Sequence, residues 1–127
     1  MKHRILVVED NQPNRELLGD WLESEGFDVV YAENLEQSYA AFEMNVPQAV
    51  LLDVQLGREN GLTLAGWIRQ RPVVRHIPVI AVTAQAMIAD QQRAIEAGCD
   101  ACVSKPVDFK SLSQQLDLWL NHAAQIP

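Results

Sequence analysis

Five short runs of apolar residues divide the chain, and each is far too short to cross a membrane. The first, third and fourth runs are continuous and rich in Val, Ile and Leu, which is typical of strands covered on both faces. The runs occupy residues 5–8, 29–31, 49–52, 79–82 and 101–103. Each run is predicted to form a β-strand.

Between the runs, apolar residues recur every three or four positions, which is the period of an amphipathic helix. Pro13 favours a helix start, Asn34 with Gln37 indicates a capping box, and Asp108 a cap for the last helix. The fourth helix is predicted from about residue 85 to residue 97. The five predicted stripes are Leu17, Leu18, Trp21 and Leu22; Leu35, Tyr39, Phe42 and Val46; Leu64, Ala65 and Ile68; Ile88, Ala94 and Ile95; and Phe109, Leu112, Leu116 and Trp119.

Strand and helix alternate five times within 127 residues, and the connections are too short for a second domain. The pattern predicts a doubly wound α/β fold in which right-handed crossovers place helices on both faces of a parallel sheet. Residues 1–127 are expected to form a single domain with a core at about residues 3–121 and no output domain. The carboxyl ends of the strands then meet at one edge, the usual ligand site of such folds.

Polar residues stand at four of these strand ends. Glu9 and Asp10 follow the first run, and Asp53 ends the third. Thr83 ends the fourth run, and Lys105 follows the fifth. Singly, each has an ordinary explanation, such as a solvated turn, a helix cap or a surface lysine. Together, three carboxylates at one edge repel one another unless a cation or protons compensate. Oxygen ligands favour Mg²⁺ over zinc or copper, and Mg²⁺ favours a phosphoryl ligand that a lysine and a hydroxyl can bind.

Composition narrows the functional classes further. The formal net charge of -7 repels the backbone of nucleic acids, so direct binding of DNA or RNA is not expected. Neither an export signal nor a membrane segment follows Met1, which favours a cytoplasmic protein without membrane association. Cys99 and Cys102 form a Cys-x-x-Cys pattern, but zinc would need a second ligand pair. We therefore prefer two small residues in or beside a buried strand over a redox or metal half-site.

The polar residues lie in motifs that resemble those of response regulator receiver domains of two-component phosphorelays. The motifs are Ile5-Leu6-Val7-Val8-Glu9-Asp10-Asn11, Leu51-Leu52-Asp53 with Gly61 eight positions later, Ile80-Ala81-Val82-Thr83-Ala84, and Ser104-Lys105-Pro106. The resemblance covers about residues 3–121. It implies a flavodoxin-like sheet of five strands in the order 2-1-3-4-5, with five helices.

The resemblance also implies a phosphoacceptor site. Asp53 would take a phosphoryl group from a phosphohistidine, assisted by Lys105 and Thr83. Such a chain is no enzyme in the usual sense, because it catalyses only its own phosphorylation and dephosphorylation. A Mg²⁺ ion would be held by four residues, with Glu9 acting directly or through water and Gln55 through its backbone carbonyl. The four implied metal residues are Glu9, Asp10, Asp53 and Gln55.

Partners are implied in the same way. The phosphoryl donor would be a sensor histidine kinase or a histidine phosphotransfer domain. A downstream protein would read the change on the surface of the fourth helix, fifth strand and fifth helix. Cys102 stands where the family usually has Tyr or Phe coupled to the threonine. Either Thr83 moves without a rotamer partner, or the output surface differs.

Other positions refine these expectations. Gly57 replaces a usual proline, which predicts a more flexible loop over residues 55–60. Gln55 and Gln85 occupy positions that tune acyl phosphate hydrolysis in the family. Pro106 is expected to be cis on the family pattern, and an ordinary trans proline is the alternative.

Three other functions compete with this interpretation. A metal-dependent phosphatase commonly adds a second acid beside the nucleophile, whereas Val54 and Gln55 follow Asp53. A flavin-binding module would need a phosphate loop rich in Ser, Thr or Gly after the first strand, and residues 11–14 do not provide one. The main alternative is a receiver-like interaction module that signals without phosphorylation.

Overall fold

The computed structural model describes residues 3–84 and 87–124, with side chains up to residue 121. A sheet of five parallel strands has the order β2-β1-β3-β4-β5, so the predicted topology is confirmed. No helix in this part of the chain is both long and apolar enough to cross a bilayer. The strands are β1 (Arg4–Val8), β2 (Asp28–Ala32), β3 (Ala49–Asp53), β4 (Val79–Thr83) and β5 (Ala101–Ser104), and the helices are α1 (Gln12–Ser24), α2 (Leu35–Met44), α3 (Leu62–Arg69), α4 (Ile88–Ala97) and α5 (Phe109–Ala124).

Both faces of the sheet are buried, because successive strand residues point to opposite sides and helices cover each side. Ile5 and Val7 of β1 belong to the core under α1 and α5, and Leu6 and Val8 to the core under the other three helices. The first, third and fourth apolar runs are continuous for this reason. Helix residues in the two cores include Leu18, Leu22, Leu112 and Leu116 on one side, and Phe42, Leu64, Ile68 and Ala94 on the other.

Side-chain caps fix where three of the helices begin, and in α1 the Asn11 side chain accepts the N–H of Asn14 at 3.0 Å. The Oδ1 atom of Asn34 accepts the backbone N–H of Gln37 at 2.8 Å, as predicted. The Gln37 side chain accepts the N–H of Glu33 at 2.8 Å, one residue before the position expected in a capping box. The Oδ1 atom of Asp108 accepts the N–H of Lys110 at 3.1 Å, which confirms the predicted cap of α5.

Some helix positions differ from the periodic pattern. Leu17, Val46, Ile88 and Ile95 were expected on buried stripes, but all four are exposed. Helix α2 ends before Val46, and α4 begins at Ile88 after an extended cap residue, later than the predicted start near residue 85. Residues 85 and 86 lie outside the described part of the chain. Periodicity records the spacing of apolar residues but not which of them a neighbouring element covers.

Between β3 and α3 the chain forms a short antiparallel ribbon that the sequence did not predict. Gln55–Leu56 pairs with Glu59–Asn60. Gly57 turns the chain with a φ of 58°, a value that side chains other than glycine rarely adopt. The Glu59 carboxylate accepts the N–H of Leu35 at 3.1 Å, which joins the ribbon to the start of α2. Residues 55–60 therefore form a hydrogen-bonded ribbon, and the flexibility expected from Gly57 stays a prediction.

Candidate metal centre

An open crevice of about 680 Å³ lies at the carboxyl edge of the sheet. The residues predicted from the strand ends all line it, although they come from four different strands. The structure therefore brings together the strand-end residues Glu9, Asp10, Asp53, Thr83 and Lys105, and with them Gln55, which the family resemblance implied.

Three carboxylates form the acidic side of the crevice. Strands β1 and β3 are neighbours, with Val8 opposite Leu52, so the residues that follow them come together. Glu9, Asp10 and Asp53 each offer one oxygen, and these oxygens lie within 4.8 Å of one another. Glu9 is 2% exposed and Asp53 is 7% exposed, whereas Asp10 faces solvent.

Lys105 connects two of these carboxylates. Its Nζ atom lies 3.0 Å from Oε1 of Glu9 and 3.0 Å from Oδ2 of Asp53. The backbone N–H of Lys105 donates to the carbonyl of Thr83 at 2.8 Å, which extends the pairing of β4 with β5. Burial opposes the lysine charge, but hydrogen bonds and attraction from the two carboxylates outweigh it and raise the pKa of Lys105. The Lys105–Pro106 peptide bond is cis, as predicted.

Burial makes Glu9 costly to ionise. Burial first, and then the hydrogen bond it can donate to Asp53 when protonated, raise the pKa of Glu9 to about 7 against the opposing effect of Lys105. Its Oε2 atom is buried and finds no hydrogen-bond partner within the described residues. The fold thus holds a buried acid in a place where an ionised carboxylate needs another positive charge.

These residues fit a hard divalent cation. The donor atoms are all oxygens, they converge, and the buried Oε2 atom of Glu9 has no partner in the described part of the chain. Mg²⁺ is commonly held by one or two carboxylates together with water and phosphate oxygens. The N–H of Gln55 donates to Oδ1 of Asp53 at 3.1 Å, which fixes the carboxylate; a metal contact from the Gln55 carbonyl stays a prediction.

Gly61 lets the start of α3 pass close to the end of β3. A Cβ atom at this position would lie 2.0 Å from the carbonyl oxygen of Asp53. The N–H of Gly61 donates to the carbonyl of Val54 at 2.6 Å, so the start of α3 is held directly against the end of β3. A side chain at position 61 would collide with the backbone of Asp53, which explains the glycine in the sequence motif.

Neither cysteine lines the crevice. Cys99 is buried, Cys102 is half-buried in β5, and both are free thiols. Burial raises the pKa of Cys99 to about 12 and also raises that of Cys102, so neither is an activated thiolate. This supports the structural interpretation of the Cys-x-x-Cys pattern.

Other crevice residues were missed because they do not follow strands. Arg58, Glu59 and Asn60 lie on or beside the ribbon, whereas Asp90 and Arg93 lie on α4. One sequence signal points to Asp90 and Arg93. They carry opposite charges and lie three residues apart, which is a helical spacing, in the segment after Thr83. Which face of α4 meets the crevice is decided by tertiary packing.

Fold and site together define a class of protein. It is a doubly wound α/β domain in which a nearly buried aspartate lies between a carboxylate centre suited to Mg²⁺ and a lysine ammonium.

Known proteins identify the family within that class. Residues 5–117 match the response regulator receiver domain, and the chain belongs to this family. The chain is 33% identical over 123 residues to the polar-differentiation response regulator DivK of Brucella anthropi, covering 97% of this chain and 100% of that protein.

Solved structures agree with this assignment. The receiver domain of a signal transduction histidine kinase from Syntrophus aciditrophicus is 26% identical, with a TM-score of 0.88 and coverage of 98% of this chain and 95% of that one. The receiver domain of the sensor histidine kinase PA1611 from Pseudomonas aeruginosa PAO1 is 29% identical, with a TM-score of 0.86 and coverage of 95% and 99%. That structure contains a magnesium ion coordinated in its active site cleft. The predicted family and fold class are confirmed.

Proposed function

We propose that this receiver domain accepts a phosphoryl group on Asp53 in a Mg²⁺-dependent reaction with a phosphohistidine. One observation supports this above the others. The Asp53 carboxylate belongs to a cluster of three converging carboxylates and at the same time lies 3.0 Å from the Lys105 ammonium. A carboxylate in this position can act as a nucleophile while neighbouring positive charge receives the incoming anion.

The transfer of the phosphoryl group to Asp53 uses the side chains that surround it. An oxygen of Asp53 attacks phosphorus as the bond between phosphorus and the histidine nitrogen breaks, and that nitrogen keeps the electron pair and takes up a proton. Lys105 neutralises charge on the transferred group, and the Thr83 hydroxyl donates to one of its oxygens. Glu9, Asp10, Asp53 and the Gln55 carbonyl would hold Mg²⁺, which supplies charge neutralisation at the phosphoryl oxygens when bound.

The partners are proposed on the same basis. The donor is a sensor histidine kinase or a histidine phosphotransfer domain, and a downstream protein reads the face of α4, β5 and α5. Met87, Ile88 and Ile95 are exposed on or beside α4, and clustered exposed apolar residues favour protein contacts. A cytoplasmic location is proposed as well, since Cys99 and Cys102 are free thiols that suit a reducing compartment.

Mass spectrometry of the intact protein tests the acceptor. With Mg²⁺ and either acetyl phosphate or a phosphorylated histidine phosphotransfer domain, the wild type is expected to gain one phosphoryl group. Asp53→Asn keeps the shape of the side chain and is expected to gain none. Asp20→Asn makes the same change on the exposed face of α1 and is expected to react like the wild type.

Two results would contradict the proposal. An adduct on Asp53→Asn would place the acceptor elsewhere. A wild type that gains no phosphoryl group from either donor would favour a receiver-like module that signals through protein contact alone.

A further inference from the structure

Arg93 reaches the crevice from α4, and nothing in the proposed transfer uses it. Arg93 and Asp90 lie one helical turn apart, and both line the crevice together with Asp53 and Lys105. The two α4 side chains form an ion pair with each other. The pair differs from the strand-end residues because it belongs to the helix that begins shortly after β4.

The two partners of this pair differ in their freedom to move. The Asp90 side chain is 18% exposed, whereas the Arg93 side chain is 66% exposed. Arg93 has a long, flexible stem and can redirect its guanidinium with little loss of contact. Asp90 has a short side chain that stays close to the helix, and it lies near Cys102, whose pKa it helps to raise. The guanidinium is therefore the mobile member.

The charge balance of the crevice gives Arg93 a reason to move. The cations that line it are Arg58, Arg93 and Lys105, against the acids Glu9, Asp10, Asp53, Glu59 and Asp90. Lys105 already contacts two carboxylates at 3.0 Å, which occupies two of its three N–H groups. A phosphoryl group brings about one and a half to two further negative charges and three acceptor oxygens. Lys105, the Thr83 hydroxyl and a bound Mg²⁺ would each take one contact, and because each phosphoryl oxygen accepts more than one hydrogen bond, positions stay open for a guanidinium.

We infer that Arg93 is a further phosphoryl-binding residue, which leaves Asp90 and contacts a phosphoryl oxygen once Asp53 carries the group. This inference rests on the phosphoacceptor function proposed above. Asp90 competes for the same guanidinium, so it lowers the affinity of the crevice for the phosphoryl group. Departure of Arg93 removes from the mostly buried Asp90 carboxylate the ion-pair partner that it has among the described residues, which favours movement of the first turn of α4 toward water.

Arg58 is a weaker candidate for this role. It lies in the exposed turn of the ribbon, and its guanidinium makes no ion pair or hydrogen bond with any described residue. Nothing holds that side chain at the crevice, so contact with the phosphoryl group would first have to order it. Arg93 is already held at the crevice wall by Asp90.

Binding of beryllofluoride, a phosphoryl mimic, in the presence of Mg²⁺ provides the test by isothermal titration calorimetry. Arg93→Gln is expected to weaken binding about tenfold, the loss of one charge-assisted hydrogen bond at a partly solvated site. Asp90→Asn is expected to strengthen binding about threefold, because the guanidinium no longer has to leave a partner. Arg75→Gln removes the same charge from an exposed arginine that does not line the crevice and is expected to leave binding unchanged.

The double variant tests whether Asp90 acts on binding through Arg93 or simply through its own negative charge. If Asp90 acts only by holding the Arg93 guanidinium, then Asp90→Asn has no effect on binding once Arg93→Gln is present. If Asp90→Asn strengthens binding equally in both backgrounds, or if Arg93→Gln binds like the wild type, the inference is wrong. A wild type that binds no beryllofluoride would overturn the phosphoacceptor proposal and this inference with it. Thermal unfolding of each variant verifies that it is folded.

Discussion

Substitution of Gly61 by alanine should damage both the stability and the chemistry of the site. The added Cβ would lie 2.0 Å from the Asp53 carbonyl oxygen and 3.2 Å from a methyl group of Leu52. An ordinary contact between carbon and a carbonyl oxygen needs about 3.3–3.6 Å, so the shortfall exceeds about 1 Å. The obstacle is backbone rather than the end of a flexible side chain. The end of β3 or the start of α3 must therefore move.

The size of both effects follows from this displacement. Overpacking typically costs about 1–3 kcal/mol, and a backbone obstacle places Gly61→Ala near the upper end, at about 3 kcal/mol. Gly61 has a φ of -59°, which alanine adopts easily, so the loss comes from the steric overlap and not from the backbone angle. Displacing the nucleophile by about 1 Å can slow a reaction roughly 100-fold. Urea denaturation measures the first effect, and the rate of phosphorylation by acetyl phosphate measures the second.

Gly66 supplies the matched control, because it lies within α3, five residues further along the chain. A Cβ atom there would meet only the carbonyl oxygen of Ala97, at 3.8 Å. Gly66→Ala is therefore expected to stabilise the protein by about 0.5–1 kcal/mol through helix propensity, with an unchanged phosphorylation rate. The steric argument fails if Gly61→Ala is as stable and as reactive as the wild type, or if both variants are impaired alike.

Two further predictions concern stability. The Arg69 guanidinium donates to the carbonyls of Gly98, Arg75 and Ile77 and to the Asp100 carboxylate at 2.6–2.8 Å, so Arg69→Met should lower the free energy of unfolding by about 2–4 kcal/mol. Because these groups lie at the amino edge of the sheet, Arg69→Met should be phosphorylated at the wild-type rate at temperatures where it is folded; a loss of less than about 0.5 kcal/mol in urea denaturation would contradict the reasoning. Folding raises the pKa of Glu9 from 4.5 to about 7, so its contribution to stability without metal is fullest below pH 4.5 and declines as the pH rises through 7, by up to about 3 kcal/mol. Glu9→Gln should remove this decline and Mg²⁺ should reduce it, as urea midpoints at pH 5 and pH 8 can measure; an unchanged decline in Glu9→Gln would assign it to other groups.

The strand-end residues could be predicted because their position depends on topology alone. Glu9, Asp53 and Lys105 follow strands of a parallel sheet, so any packing of the helices that preserves the sheet brings them to one edge. The order of the strands, by contrast, is implied by the family resemblance, because the apolar runs do not specify which strands are neighbours. Polar residues directly after buried apolar runs are a signal that needs no side-chain geometry.

The ribbon and the α4 residues could not be predicted for a related reason. Leu56 is the only buried residue of the ribbon, and strands of two residues are too short to show a period of two. The place of Arg93 depends on how α4 is rotated about its axis. Ala94 is the one residue of α4 that is fully buried, so the sequence holds little information about that rotation.

The acidic crevice itself explains why metal and phosphoryl group should bind together. Glu9 is 2% exposed, with an oxygen that lacks a hydrogen-bond partner among the described residues, and a native protein tolerates such a group only at a cost in stability. A divalent cation that binds the folded state would remove that cost, and its binding energy would add to stability. The cation and the phosphoryl group carry opposite charges at adjacent places, so each lowers the free energy of binding the other. Burial of Glu9 beside Asp53 would therefore couple the binding of the two ligands, and Lys105, which contacts both carboxylates, compensates the cost of that burial in part.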